Sequence, residues 1–248
     1  MKATIQIEKN TYQVDLSKPL SISIPLRSGA KNVGAWYLDP PTIEPVKDGD
    51  FIGSVEAGSS VNFNTITFNP HAHSTHTESV GHITAKPYPV NTLLDRFFFL
   101  AEVITMAPER FKEDFVISKK QIQRALQTNT PEALIIRTLP NTTEKLSRKY
   151  SHTNPPYLSE DAAVFLCQTG VEHLLIDLPS VDKEKDEGKL AAHKAFWNTS
   201  GILRKKATIT EFVYIANSIL DGQYLLNLQL ASFENDAAPS NPVLYKLL

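Results

Sequence analysis

The chain has 248 residues, 42% hydrophobic and 21% charged, with a formal net charge of −2. This balance holds material for one sizeable core and gives no electrostatic ground for a nucleic acid or an anionic membrane as partner. The amino-terminal residues contain no apolar run of signal-peptide length, and the most apolar stretch, Phe97 to Met106, carries Glu102 and is too short to span a bilayer. A single cysteine, Cys167, excludes an internal disulfide framework and fits a reducing compartment. A cytoplasmic globular protein is expected.

In chain order, Thr4–Ile7 and Tyr12–Val14 alternate around Lys9-Asn10 and predict a hairpin. Three prolines and three glycines between Gly29 and Asp50 predict a long irregular loop containing Trp36. Val61 to Phe68 alternates strictly and predicts a strand that runs directly into a histidine-rich segment; Arg96 to Met106 predicts another. Ser118 caps a predicted helix from Lys119 to Gln127, followed by a buried-type strand from Ala133 to Arg137. Ser159 caps a second helix that ends at Gly170, and Val171 to Leu178 follows as a buried strand; strand–helix–strand order favours parallel pairing. Asp182 to Lys189 alternates charges and predicts a solvated loop, and Leu190 to Trp197 a helix. Thr208 to Ile215 and Tyr224 to Ala231 predict strands joined by a turn at Asp221-Gly222. No repeat or domain boundary interrupts the sequence. The expected class is α/β with a mixed, strand-rich sheet, in a single domain over residues 1–248.

The segment Asn69-Pro70-His71-Ala72-His73-Ser74-Thr75-His76-Thr77-Glu78-Ser79-Val80-Gly81-His82 holds four of the seven histidines. Read as a strand, it places His76, Glu78, Val80 and His82 on one face, with His82 about 13 Å beyond Glu78. Grouped imidazole and carboxylate ligands suit zinc or manganese. His71 and His73 have the opposite parity, so one of them joins this face only if a bulge or turn intervenes near Ser74. Two later residues offer further ligands. Glu211 shares a predicted strand face with Ile209, Val213 and Ile215, a costly position for a carboxylate without a cation or donors. His193 shares a helix face with Leu190 and Trp197.

The stretch Ser74 to His82 resembles the cyclase-family motif His-x-Gly-Thr-His-x-Asp-x-Pro-x-His. Pro156 to Ala163 and Gly170 to Asp182 resemble that family's helix, strand and Asp-x-x-Ser-x-Asp turn; His193, Glu211 and the closing Tyr224–Leu228 keep its order. The resemblance runs from about Leu16 onward. It implies a swivelling β/β/α fold, a mono- or dinuclear Zn2+ or Mn2+ site, and hydrolysis of a small amide such as N-formylkynurenine by a homo-oligomer, dimer or tetramer. It makes His76 and Glu78 metal ligands, His193 and Glu211 ligands of a second ion, and His82 the catalytic acid–base. Glu78 stands where the family has aspartate, Ser74 where it has glycine and Val80 where it has proline. The first family histidine falls on Ala72, so His71 or His73 takes its role, His71 through a one-residue bulge.

In this reading a metal-activated water attacks an amide or cyclic amide carbonyl, and His82 carries the proton to the leaving nitrogen. Asp177 and Asp182 read more readily as solvated turn carboxylates than as partners of the ligands, and Trp36 as a packing aromatic rather than a pocket wall. Two rivals remain at this level. His71-Ala72-His73 with Glu78 fits half of a cupin signature, and the altered motif permits a metal-stabilised binding protein without turnover.

Overall fold

Ala133–Thr138 and His173–Ile176 are buried along their whole length, which is why both read as continuous apolar runs rather than alternating ones. In the computed structural model, which describes residues 1–7 and 9–248, their side chains still alternate. Ala133, Ile135 and Leu175 join one core with Phe99, Val103, Leu226 and Leu244, while Leu134, Ile136, Leu174 and Ile176 join another.

The two strands pair in parallel, with Phe98–Met106 parallel on one side and Thr208–Glu211 parallel on the other. Antiparallel pairing continues from Thr208–Glu211 to His76–Glu78, then to Ala237–Lys246, then to Gly222–Leu230, which returns to Phe98–Met106. Among the described residues this closes a seven-strand ring, with Leu20–Ser21 paired outside it on Ala237–Lys246. Closure removes the sheet edges and encloses the first core.

The second core lies between the outer face of the ring and the helices. Four α-helical segments are described: α1 (Pro70–His73), α2 (Lys119–Leu126), α3 (Glu160–Thr169) and α4 (Ala191–Phe196). A capping box of Ser118 and Gln121 starts α2. Gly170, at φ +85°, ends α3 in the left-handed conformation that only glycine adopts cheaply. The mixed, strand-rich α/β class matches the expectation.

Several predicted elements differ. The 208 strand stops at Glu211 because Phe212 takes φ +55°. That residue reverses the parity, so Ile209 faces the outer core while Val213 and Ile215 face the barrel interior. The 222–230 strand pairs with 98–106 and 237–246, not with 208–211 as a hairpin. The strand before the histidines is shorter, Asn64–Thr67, and lies exposed on Thr42–Pro45, within the segment predicted to be an irregular loop. Lys2–Ile7 and Asn10–Asp15 pair antiparallel as the expected hairpin; Glu8 lies outside the described residues. Among the described residues no helix is long and apolar enough to cross a membrane.

Candidate metal centre

Asn69 accepts the backbone N–H of Ala72, and Pro70 supplies a preset φ at the first helical position, so the chain makes one helical turn at Pro70–His73. Ser74 then returns to extended backbone. This turn, not a strand bulge, resolves the parity problem. It brings His71 to the same cluster as His76 and Glu78. His73 points elsewhere: its Nδ1 accepts the backbone N–H of Asn69 at 3.0 Å, and it belongs to no ligand cluster among the described residues. The paired geometry that a His-x-His cupin half requires is therefore missing.

His76 and Glu78 share one face of the 76–78 strand, opposite Glu211 and Ile209 of the neighbouring strand, while Thr77 and Thr210 hydrogen-bond on the other face at 2.7 Å. His76 Nδ1 donates to the Ser74 carbonyl at 2.9 Å. A carbonyl only accepts, so this bond fixes the tautomer and leaves Nε2 as a bare lone pair. That Nε2 and Glu78 Oε2 are buried and have no hydrogen-bond partner among the described residues. His71 Nδ1 lies 3.2 Å from the same Glu78 oxygen.

The strand ends at Glu78. Ser79 accepts the N–H of Gly81 and starts a 3-10 turn over Val80–Ile83. Gly81 passes so close to Tyr88 that a Cβ would lie 2.9 Å from its carbonyl oxygen, which explains the glycine. The turn folds His82 back, so its Nε2 lies 3.9 Å from Glu78 Oε2 rather than far along a strand. Asp236, at the threshold of the 237–246 strand, meets both His71 Nε2 at 2.9 Å and His82 Nδ1 at 3.3 Å. Nothing local distinguishes Asp236 in Phe-Glu-Asn-Asp-Ala-Ala from a solvated loop acid, and the sequence reading misses it.

From α4, His193 brings Nε2 to 3.0 Å from Glu78 Oε1. Its Nδ1 donates to Asp182 at 2.6 Å, and Asp182 also accepts the backbone N–H groups of Ala192 and His193. Asp182 is thus buried and not a solvated turn carboxylate. Asp177 is buried too, but it pairs with Lys145 and Thr138 away from this cluster. Glu211 spans His76 at 3.5 Å and His193 at 3.8 Å while accepting the N–H of Val181. Among the described residues it completes no three-residue ligand set, whereas Glu78 belongs to two, one with His71 and His76 and one with His82 and His193.

Burial pushes the Glu78 carboxyl up, but the His82 charge and the imidazoles of His193 and His71 outweigh it and hold it well below the carboxylate range. His193 is pushed up to about 10: burial opposes its charge, and Asp182 and Glu78 overcome that. His71 rises to about 10 in the same way through Asp236 and Glu78. Protons on these imidazoles neutralise a buried carboxylate that an ion would neutralise instead. The donor set, with orphaned His76 Nε2 and Glu78 Oε2 in one buried cluster, fits a borderline divalent metal. A cavity of about 350 Å³ opens beside it, lined by His71, His82, His193, Trp36 and Leu38. Trp36 is therefore a wall after all, pinned by its indole N–H to the His71 carbonyl at 3.1 Å.

A closed barrel with a buried imidazole–carboxylate cluster on its flank defines an α/β protein built around a candidate metal centre. The family model described as putative cyclase matches residues 14–183, and the chain belongs to the cyclase family. A kynurenine formamidase of Bacillus cereus is 25% identical over 238 residues, spanning 95% of this chain and 98% of that protein. One from Bacillus mycoides is 25% identical over 241 residues with the same coverage. An isatin hydrolase bound to the product analogue thioisatinate has the same fold, with a TM-score of 0.70 at 15% identity over 93% of each chain. A predicted metal-dependent hydrolase from Bacillus stearothermophilus gives 0.64 at 16% identity, over 92% of this chain and 98% of its own.

Proposed function

We propose that the protein hydrolyses a small amide or cyclic amide with the help of a bound divalent ion, zinc or alternatively manganese. The observation that carries this reading is the pair of orphaned, buried atoms, His76 Nε2 and Glu78 Oε2. His71, His76 and Glu78 would hold one ion. His193, with Glu78 shared, would hold a second where two bind, and Glu211, 3.8 Å from His193, would join them only after a shift of its side chain. The kynurenine formamidase relatives support an amide bond as the target.

When bound, the ion supplies Lewis acidity, polarising the scissile carbonyl and making a water acidic enough to attack near neutral pH. Glu78 and His76 set the ligand positions. His82 lines the cavity and retains 31% side-chain exposure, so it can deliver a proton to the leaving nitrogen. Trp36 and Leu38 give the cavity an apolar wall, and its size suits a small substrate. The ligands come from residues 71 to 211, in keeping with one functional unit. The family likeness supports a homo-oligomer, dimer or tetramer, and the single cysteine a cytoplasmic setting; light scattering and fractionation test the two.

The deciding experiment is metal analysis of protein purified without added metal, followed by turnover on formamides, cyclic amides and lactones. We expect bound zinc or manganese and hydrolysis of at least one amide. His76→Ala and Glu78→Ala should each lose most of the metal; full occupancy in both variants would sink the site.

A further inference from the structure

We infer that Asp236 is a positioning residue that aims His71 and His82 together through one carboxylate oxygen; this rests on the hydrolase reading. Asp236 Oδ2 lies 2.9 Å from His71 Nε2 and 3.3 Å from His82 Nδ1. The two rings stack, with centroids 4.3 Å apart and planes at 29°. A carboxylate that accepts from His82 Nδ1–H leaves Nε2, on the Glu78 side, as the basic nitrogen. Accepting from His71 Nε2–H leaves Nδ1 as the nitrogen turned to Glu78 Oε2, 3.2 Å away, and the one whose proton a bound ion would displace. One acceptor thus sets the tautomer of a proposed ligand and of the proposed proton carrier.

The backbone around Asp236 is held to the elements it serves. Its carbonyl accepts the N–H of Ser79, the residue that starts the turn carrying His82, and Asn235 O accepts the N–H of Val90. His71 and His82 line the cavity, but Asp236 does not. It therefore acts through the two rings and not on the substrate.

The test uses Asp236→Ala and Asp236→Asn in the zinc-loaded full chain, with kinetics, zinc titration and long-range proton–nitrogen NMR of the imidazoles. Losing an outer partner of this kind typically costs about 10- to 100-fold in metal affinity or activity. We expect kcat to fall by that order in Asp236→Ala while KM stays within about threefold, since no substrate contact is removed. Excess zinc should restore occupancy. The His82 proton should sit on Nδ1 in the wild type and shift toward Nε2 in Asp236→Ala, with Asp236→Asn intermediate because its amide oxygen still accepts one bond. Should Asp236→Ala fail to fold, the tautomer in Asp236→Asn decides. An unchanged His82 tautomer, or unchanged kcat, overturns the proposal. Zinc loss that excess zinc does not restore also overturns it, making Asp236 a ligand. A wild type that takes up no zinc and hydrolyses no amide instead overturns the hydrolase reading, and the His82 tautomer in the metal-free wild type then reads the grip of Asp236 alone.

Discussion

Asp182 Oδ2 accepts the Nδ1–H of His193 at 2.6 Å, while the opposite nitrogen of the ring lies 3.0 Å from Glu78 Oε1. The same carboxylate takes two backbone N–H groups at the start of α4, so the helix and the ring are fixed by one residue. Asp182→Ala should lower zinc affinity about 10- to 100-fold, and Asp182→Asn less, since the amide oxygen still accepts from the ring. Calorimetric zinc titration measures both. Unchanged affinity would mean that packing against Trp197, 5.4 Å away ring to ring, is sufficient to hold His193.

His71 and His73 give a paired test of the helical turn. His71→Ala should reduce metal content, because His71 alone of the two sits with His76 and Glu78. His73→Ala should leave metal content intact and cost only stability, since His73 Nδ1 anchors the Asn69 N–H. Metal loss in His73→Ala but not in His71→Ala would reverse the assignment.

His82→Ala should keep its fold and metal and lose about 10²- to 10⁴-fold in turnover, the usual cost of removing a general acid–base group. Removing a true ligand takes the metal with it. Metal content and rate measured on one preparation separate the two roles. Turnover within about threefold of wild type would leave His82 without the proton-carrying role.

His173 predicts an acid-sensitive stability unrelated to the metal. It is buried, bonded to Thr208 Oγ1 at 2.9 Å and packed on Phe99. Burial, helped by Arg96 and Arg204, depresses it from 6.5 to about 3. The folded state keeps this ring neutral while the unfolded chain takes up a proton below 6.5. Stability is therefore whole above 6.5 and falls toward pH 3, by up to about 1.4 kcal/mol per pH unit. Urea unfolding of wild type and His173→Gln from neutral to acid pH should show a shallower acid loss in the variant. Parallel curves would show that His173 does not drive it.

The sequence by itself determined the elements whose signals are local. The unbroken apolar runs at Ala133 and Val171 marked buried parallel strands, Ser118 and Gly170 marked helix ends, and four histidines near Glu78 marked the chemistry. Only the tertiary structure decided which histidine converges, because the Asn69 cap and Pro70 turn the chain helically where alternation assumes a strand. It also decided the place of His82, folded back by the Ser79 turn, and the parity beyond Glu211, reversed at Phe212. Asp182 and Asp236 were hidden for a common reason. A carboxylate in a polar segment looks solvated until distant chain removes its water, and Asp236 reaches His82 across 154 residues only when the 237–246 strand closes the barrel beside His76–Glu78.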